Sequence, residues 1–200
     1  MPLSNSDMVQ FRLAGLTLAV DFTAPALLAL TALLLPQEVL LRTLAACLLH
    51  ENAHFLALAL TGQKPELLRI SAAGMRLELR AAAICPLHSS ILILAAGPAA
   101  NFLAAALFHA VGHPESAAAN LALALFNLLP YRSTDGGSLL YLLLEHRFLE
   151  FAPERPRQIL RAVSVLTTAA AAGILFRAGI RNPSLWGMLI FLLLSVFSEP

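Results

Sequence analysis

From residue 88 to residue 111 the chain carries no Asp, Glu, Lys or Arg. A stretch of that length and composition suits a helix crossing about 30 Å of hydrocarbon and little else. Glu38 to Thr61 is a second run long enough to span, with Gly62 just past its end as a helix stop. The whole chain agrees: 58% of its 200 residues are hydrophobic, 12% are charged, and the mean hydropathy is +0.76. Too little polar surface remains to clothe a water-soluble globule, so the sequence reads as an integral membrane protein. A formal net charge of +1 supplies no basic field for nucleic acid, which is excluded as a partner. Cys47 and Cys85 form neither a disulfide framework nor a zinc-finger spacing. No small-residue cleavage site follows the start of the chain, so the first apolar segment is expected to stay.

The remaining segments follow from periodicity and punctuation. Residues 11–22 alternate around Gly15, as a strand or hairpin at the membrane surface would, and residues 65–80 alternate around Gly74 as a second hairpin, so the two short strand regions can pair. Thr23 to Leu35 is apolar and stops at Pro36. Further helices are expected at 116–129, at 139–148 after a polar break over 130–138, at 158–177 beyond a charged connector, and at 183–198. The expected architecture is an all-α polytopic membrane protein with about six transmembrane segments, a three-helix core and a small membrane-surface β-sheet. It forms one domain over residues 1–200, with the core at about 11–150 and additional helices at about 158–198. Basic residues collect at Lys64 to Arg80 and at Arg147 to Arg161, which places those loops in the cytoplasm and the working end of the protein nearer that side. Arg177 and Arg181 fall on the opposite side in this scheme.

Within the Glu38 to Thr61 run lies His50-Glu51-Asn52-Ala53-His54. Two histidines four apart on a helix project from one face and can share a metal ion, while the intervening carboxylate can reach a water activated by that metal. Zinc lowers the pKa of such a water from far above neutrality to about 7, and a general base typically adds ~10²- to 10⁴-fold. A carboxylate at mid-bilayer costs about 2.5–3.5 kcal/mol on insertion scales, so a chain that keeps one there has a use for it.

A catalytic zinc needs a third protein ligand and an open position. The chain has three aspartates, Asp7, Asp21 and Asp135. Asp135 stands apart, because it lies in Asn127-Leu-Leu-Pro130-Tyr-Arg-Ser-Thr-Asp135-Gly136-Gly137, a polar interruption between apolar runs. Irregular backbone at membrane depth is tolerated where it is packed in protein or lines a watered cavity. An ordinary loop between two helices would read the same way in isolation.

These two motifs together resemble those of the site-2 protease family of intramembrane zinc metalloproteases, in particular its sporulation-type, pro-sigma-factor-processing members. His50, Glu51 and His54 match the family's first motif, and Asn127, Pro130, Asp135 and Gly136 match its N-x-x-P-x-x-x-x-D-G motif. Gly97-Pro98-Ala-Ala-Asn101 is similar to a G-P-x-x-N element of the intervening helix, and the two hairpins resemble the family's flanking sheet segments. The likeness runs from about residue 11 to residue 150. It implies one catalytic Zn2+ held by His50, His54 and Asp135, with Glu51 as general base and acid and Asn127 positioning substrate or stabilising the oxyanion. It implies a membrane-associated protein substrate such as an anti-sigma or pro-sigma factor, the bacterial cytoplasmic membrane as location, and room for a membrane regulatory subunit as partner. Ala53 stands where the family usually has Gly, and Thr134 where it usually has Leu.

Other polar residues have blander readings. Cys47, one turn before His50, could face the metal as a thiolate, but a cysteine in an apolar helix usually packs as a small hydrophobe. His109 and His113 end a helix without an adjacent acid, Glu145 and His146 lie about three turns beyond Asp135, and Trp186 suits an interfacial anchor. Gly97 and Pro98 read as a device for close helix packing. The alternative to a protease is an intramembrane metal-ion transporter or metal-binding protein using the same ligands.

Overall fold

The computed structural model describes residues 8–13, 16–63, 65–71, 74–79 and 85–198. They form four strands and seven helices: β1 (Met8–Leu13), β2 (Leu16–Asp21), α1 (Thr23–Leu34), α2 (Gln37–Leu60), β3 (Pro65–Ser71), β4 (Gly74–Leu79), α3 (Leu87–Ala110), α4 (Pro114–Asn127), α5 (Asp135–Phe148), α6 (Arg155–Arg177) and α7 (Pro183–Ser198). The chain divides into two compact units, Met1–Ala124 and Leu125–Pro200.

In the first unit the strands form one sheet in the order β1-β2-β3-β4. Both expected hairpins pair antiparallel, with Phe11 opposite Leu18 and Arg69 opposite Arg76. They are joined by a parallel pairing of β2 with β3, Thr17 opposite Leu67. Parallel neighbours need a long crossover, and here α1 and α2 supply it. The turns expected at Gly15 and just before Gly74 lie outside the described residues. Asp21 is buried and its Oδ1 accepts the Thr23 N–H at 2.8 Å, which satisfies an amide at the start of α1.

Helix α1 stops at Leu34 because the residue before a proline is pushed out of the helical region. Leu35 is extended, at φ −103° and ψ 145°, and α2 starts afresh after Pro36. Helix α2 ends as expected at Gly62, whose φ of +68° lets Gln63 N–H reach back to the Leu58 carbonyl at 2.9 Å. Helices α2 and α3 pack along each other. Arg42 on α2 pairs with Glu38 at 3.1 Å and with Glu115 of α4 at 2.8 Å.

In the second unit α6 packs against both α5 and α7. The segment between α4 and α5 is anchored on α6: buried Tyr131 shares a 2.6 Å hydrogen bond with Thr168, and the Ser164 hydroxyl donates to the Pro130 carbonyl. Tyr131 also packs with Leu192 and Val196 of α7.

Among the described residues three helices, α2, α3 and α6, are long and apolar enough to cross a membrane, beside the about six crossing segments expected from the sequence. Of the shorter helices α1 and α7 are apolar, while α4 and α5 have 14 residues each, roughly 21 Å at 1.5 Å per residue. Less than a quarter of each long helix's apolar window is buried within the protein. Side chains such as Leu103 and Leu166, about 70% exposed, therefore need an apolar solvent around them, and the chain is an integral membrane protein.

Candidate metal centre

On α2 the i, i+4 spacing brings His50 and His54 edge to face, with Nε2 to Nε2 at 3.1 Å. The opposite ring nitrogens determine what those two atoms can do. His54 Nδ1 lies 2.7 Å from the Ile93 carbonyl, which can only accept, so this nitrogen carries the proton. His50 Nδ1 lies 2.7 Å from Asn101 Oδ1. The Asn101 amide is oriented because its Nδ2 donates to two acceptors, Asn120 Oδ1 at 2.8 Å and the Ala46 carbonyl at 3.1 Å, so His50 also carries its proton on Nδ1. Both Nε2 atoms then present lone pairs toward each other. Two lone pairs at that separation suit a shared cation, and 3.1 Å is close to the ~3.3 Å between two nitrogens bound to a tetrahedral zinc at about 2.0–2.1 Å. Hydrogen-bonded outer nitrogens are the usual support of metal-binding histidines. The residues present fit a zinc ion.

Glu51 is half-buried beside the pair. Asn52 points elsewhere: it is exposed, and its Nδ2 donates to the Leu48 carbonyl of its own helix at 2.7 Å. That bond satisfies a polar group that would otherwise meet lipid.

Helix α3 closes over the imidazoles at Gly97. A Cβ there would fall on His54 Nε2 and within 2.6 Å of His50 Cε1 and Nε2, so only glycine permits this approach. Pro98, inside the helix, lacks the N–H that would bond back to Leu94 and loosens the ladder next to Ile93. Asn101, fully buried, lies four residues after Gly97 on the same face. The close packing anticipated for Gly97-Pro98 is thus packing onto the histidine pair itself.

Asp135 belongs to the second unit and opens α5. The polar break over 130–138 is shorter in the structure, because Thr134 caps the helix and starts it at Asp135, before the 139 expected. Thr134 is extended and its hydroxyl accepts the Gly137 N–H at 3.3 Å. That hydroxyl also donates to the Tyr131 carbonyl at 2.9 Å. A carboxylate in the first turn suits the positive end of the helix dipole, and Asp135 Oδ2 is buried. A Cβ on Gly136 would meet Leu128 backbone within 2.7 Å, and one on Gly137 would overlap the Tyr131 carbonyl. The two glycines thus let the first turn of α5 nest against residues 128–131, directly after Asn127 at the end of α4.

Cys47 is half-buried, and Glu145 and His146 lie in the last turns of α5. The sequence reading did not single out Asn120, whose Oδ1 accepts from Asn101 Nδ2 at 2.8 Å. Its signal is an amide in an Ala- and Leu-rich helix, one turn after Ser116. Ser164 and Thr168, four apart on α6, carry the same kind of signal and were not singled out either.

This is a site-2-protease-like fold, polytopic and helical with a small sheet. Among the solved structures it resembles is the site-2 protease from Methanocaldococcus jannaschii, with a TM-score of 0.68 at 19% identity over 96% of this chain and 94% of that one. No protein-family model and no curated protein sequence matches the chain.

Proposed function

We propose that the chain is an intramembrane zinc metalloprotease in which His50, His54 and Asp135 hold one zinc ion. The carrying observation is the histidine pair, with Nε2 atoms 3.1 Å apart and outer nitrogens tied to Asn101 and Ile93 on a helix long enough to cross a bilayer. The likeness of fold to a site-2 protease over almost the whole chain supports the reading. Zinc would supply Lewis acidity, activating a water and polarising a peptide carbonyl.

The chain's own groups divide the remaining work. Glu51 takes the proton from the attacking water and returns it to the departing amine, so the peptide C–N bond breaks without release of a charged amide. Asn127 is assigned to orienting the substrate or the developing oxyanion. The substrate is a membrane-associated regulatory protein, of the anti-sigma or pro-sigma kind that the motif resemblance suggests. A helical segment would have to unwind first, because its carbonyls are engaged in the helix. Strand β4, paired with β3, lies at an edge of the sheet and can take the opened segment as an added strand.

Co-expression of wild type and Glu51→Gln with single-span candidate substrates tests the reading. The protease predicts a cut made by wild type alone, while both proteins retain zinc. A metal transporter predicts no cut and metal movement altered by the same substitution.

A further inference from the structure

Behind His50 the hydrogen bonds run in one direction through three helices. The Ser116 carbonyl of α4 accepts from Asn120 Nδ2 at 2.9 Å, Asn120 Oδ1 accepts from Asn101 Nδ2 at 2.8 Å, and Asn101 Oδ1 faces His50 Nδ1 at 2.7 Å. A second acceptor, the Ala46 carbonyl of α2, also takes Asn101 Nδ2 at 3.1 Å. Two members of this chain are backbone carbonyls with no proton to give, so they dictate its polarity. Turning Asn120 over would set its Oδ1 against the Ser116 carbonyl and its NH2 against that of Asn101. Turning Asn101 over would set its Oδ1 against both Ala46 O and Asn120 Oδ1, and would aim its NH2 at His50.

The last of these has a chemical consequence. An NH2 group facing Nδ1 forces that nitrogen to accept, moves the proton to Nε2, and removes the lone pair that faces His54. Free imidazole already favours the Nε2–H form, so the metal-binding tautomer has to be imposed. Both amides are buried, Asn101 at 0% and Asn120 at 3% exposure, so no water competes for the choice.

We infer that Asn120 is a positioning residue, which selects the zinc-competent tautomer of His50 by fixing the direction of the Asn101 amide. The inference rests on the metal reading above and deepens it. If Asn120 were only interhelical glue, its loss would loosen α3 against α4 and leave the His50 tautomer alone.

Metal-stripped full-length protein in detergent separates these roles through Asn120→Leu, which removes the acceptor, and Asn120→Asp, which keeps one. Asn120→Ala replaces the Leu variant if that one does not fold, since α4 is already rich in alanine. Long-range 1H–15N spectra of 15N-histidine-labelled protein, with the His50 signals assigned by His50→Gln, should show Nδ1–H in wild type and Asn120→Asp. The acceptor-free variant should gain an Nε2–H population. Zinc affinity by chelator competition should fall about tenfold in that variant, the lower end of supporting-residue effects, and stay near wild type in Asn120→Asp. An acceptor-free variant with wild-type tautomer and affinity overturns the inference, as does an equal loss in both variants. Should wild type itself bind no zinc, the metal reading of the site falls, and the tautomer spectra alone then decide the role of Asn120.

Discussion

The histidine half of the proposed centre and its aspartate half are built by opposite means. His50 and His54 owe their placement to an uninterrupted helix, because the α-helical repeat stacks residues four apart whatever surrounds them. Asp135 sits where a helix begins, and its backbone is held by the Thr134 hydroxyl, by Tyr131 and Ser164 reaching between loop and α6, and by two glycines that admit close backbone contact. Regular structure supplies geometry at no extra cost, whereas irregular backbone in an apolar medium needs a partner for every freed polar group. The first half should therefore fail through loss of ligands, and the second through loss of support.

The largest expected effect separates ligand from base. His54→Ala should abolish stoichiometric zinc by elemental analysis, while Glu51→Gln should keep the metal and lose at least about 10²-fold in turnover. Zinc retained in the first, or turnover in the second, would dissolve the distinction between them. Glycine substitution probes the two halves in parallel. Gly97→Ala pushes a methyl group into the imidazoles and should cost zinc affinity with little change in the melting point of the metal-free protein. Gly137→Ala pushes one into the Tyr131 carbonyl and should destabilise by about 1–3 kcal/mol, the usual range for overpacking, visible as a lower thermal midpoint in detergent. The same pattern for both variants would mean that the halves do not differ as described. Removing the cap by Thr134→Val should cost about 1 kcal/mol by the same assay. The smallest effect belongs to Arg42→Met. Its pairs with Glu38 and Glu115 involve carboxylates that are more than two-thirds exposed, and such pairs contribute roughly 0–1 kcal/mol. A large loss there would show the helix ends to be drier than their exposure indicates.

The contrast also governs what could be read without coordinates. The H-E-x-x-H ligands were legible because helix geometry is local, and so was the Gly62 stop, whose left-handed conformation is a property of one residue. The two strand regions and their capacity to pair were legible from alternation, yet the choice of β2 against β3 in parallel was not, since a pairing across α1 and α2 leaves no local trace. Beside the expected six or so crossing segments, three helices among the described residues reach spanning length: apolar composition sets solvent preference, whereas helix length depends on where caps and prolines fall. Thr134 illustrates this, starting α5 earlier than hydrophobic periodicity indicated.

Asn101 and Asn120 mark the boundary most clearly. Their presence in apolar helices signals buried hydrogen bonds, but an amide can point either way and pair with many partners. The sequence by itself determined the solvent, the helical register of His50, Glu51 and His54, and the polar break around Asp135, all of which follow from side-chain chemistry and a fixed local repeat. Only the tertiary structure decided which carbonyls and amides stand behind the imidazoles, and hence where their protons lie. Hydrogen-bond direction depends on atoms brought together from helices far apart in the chain.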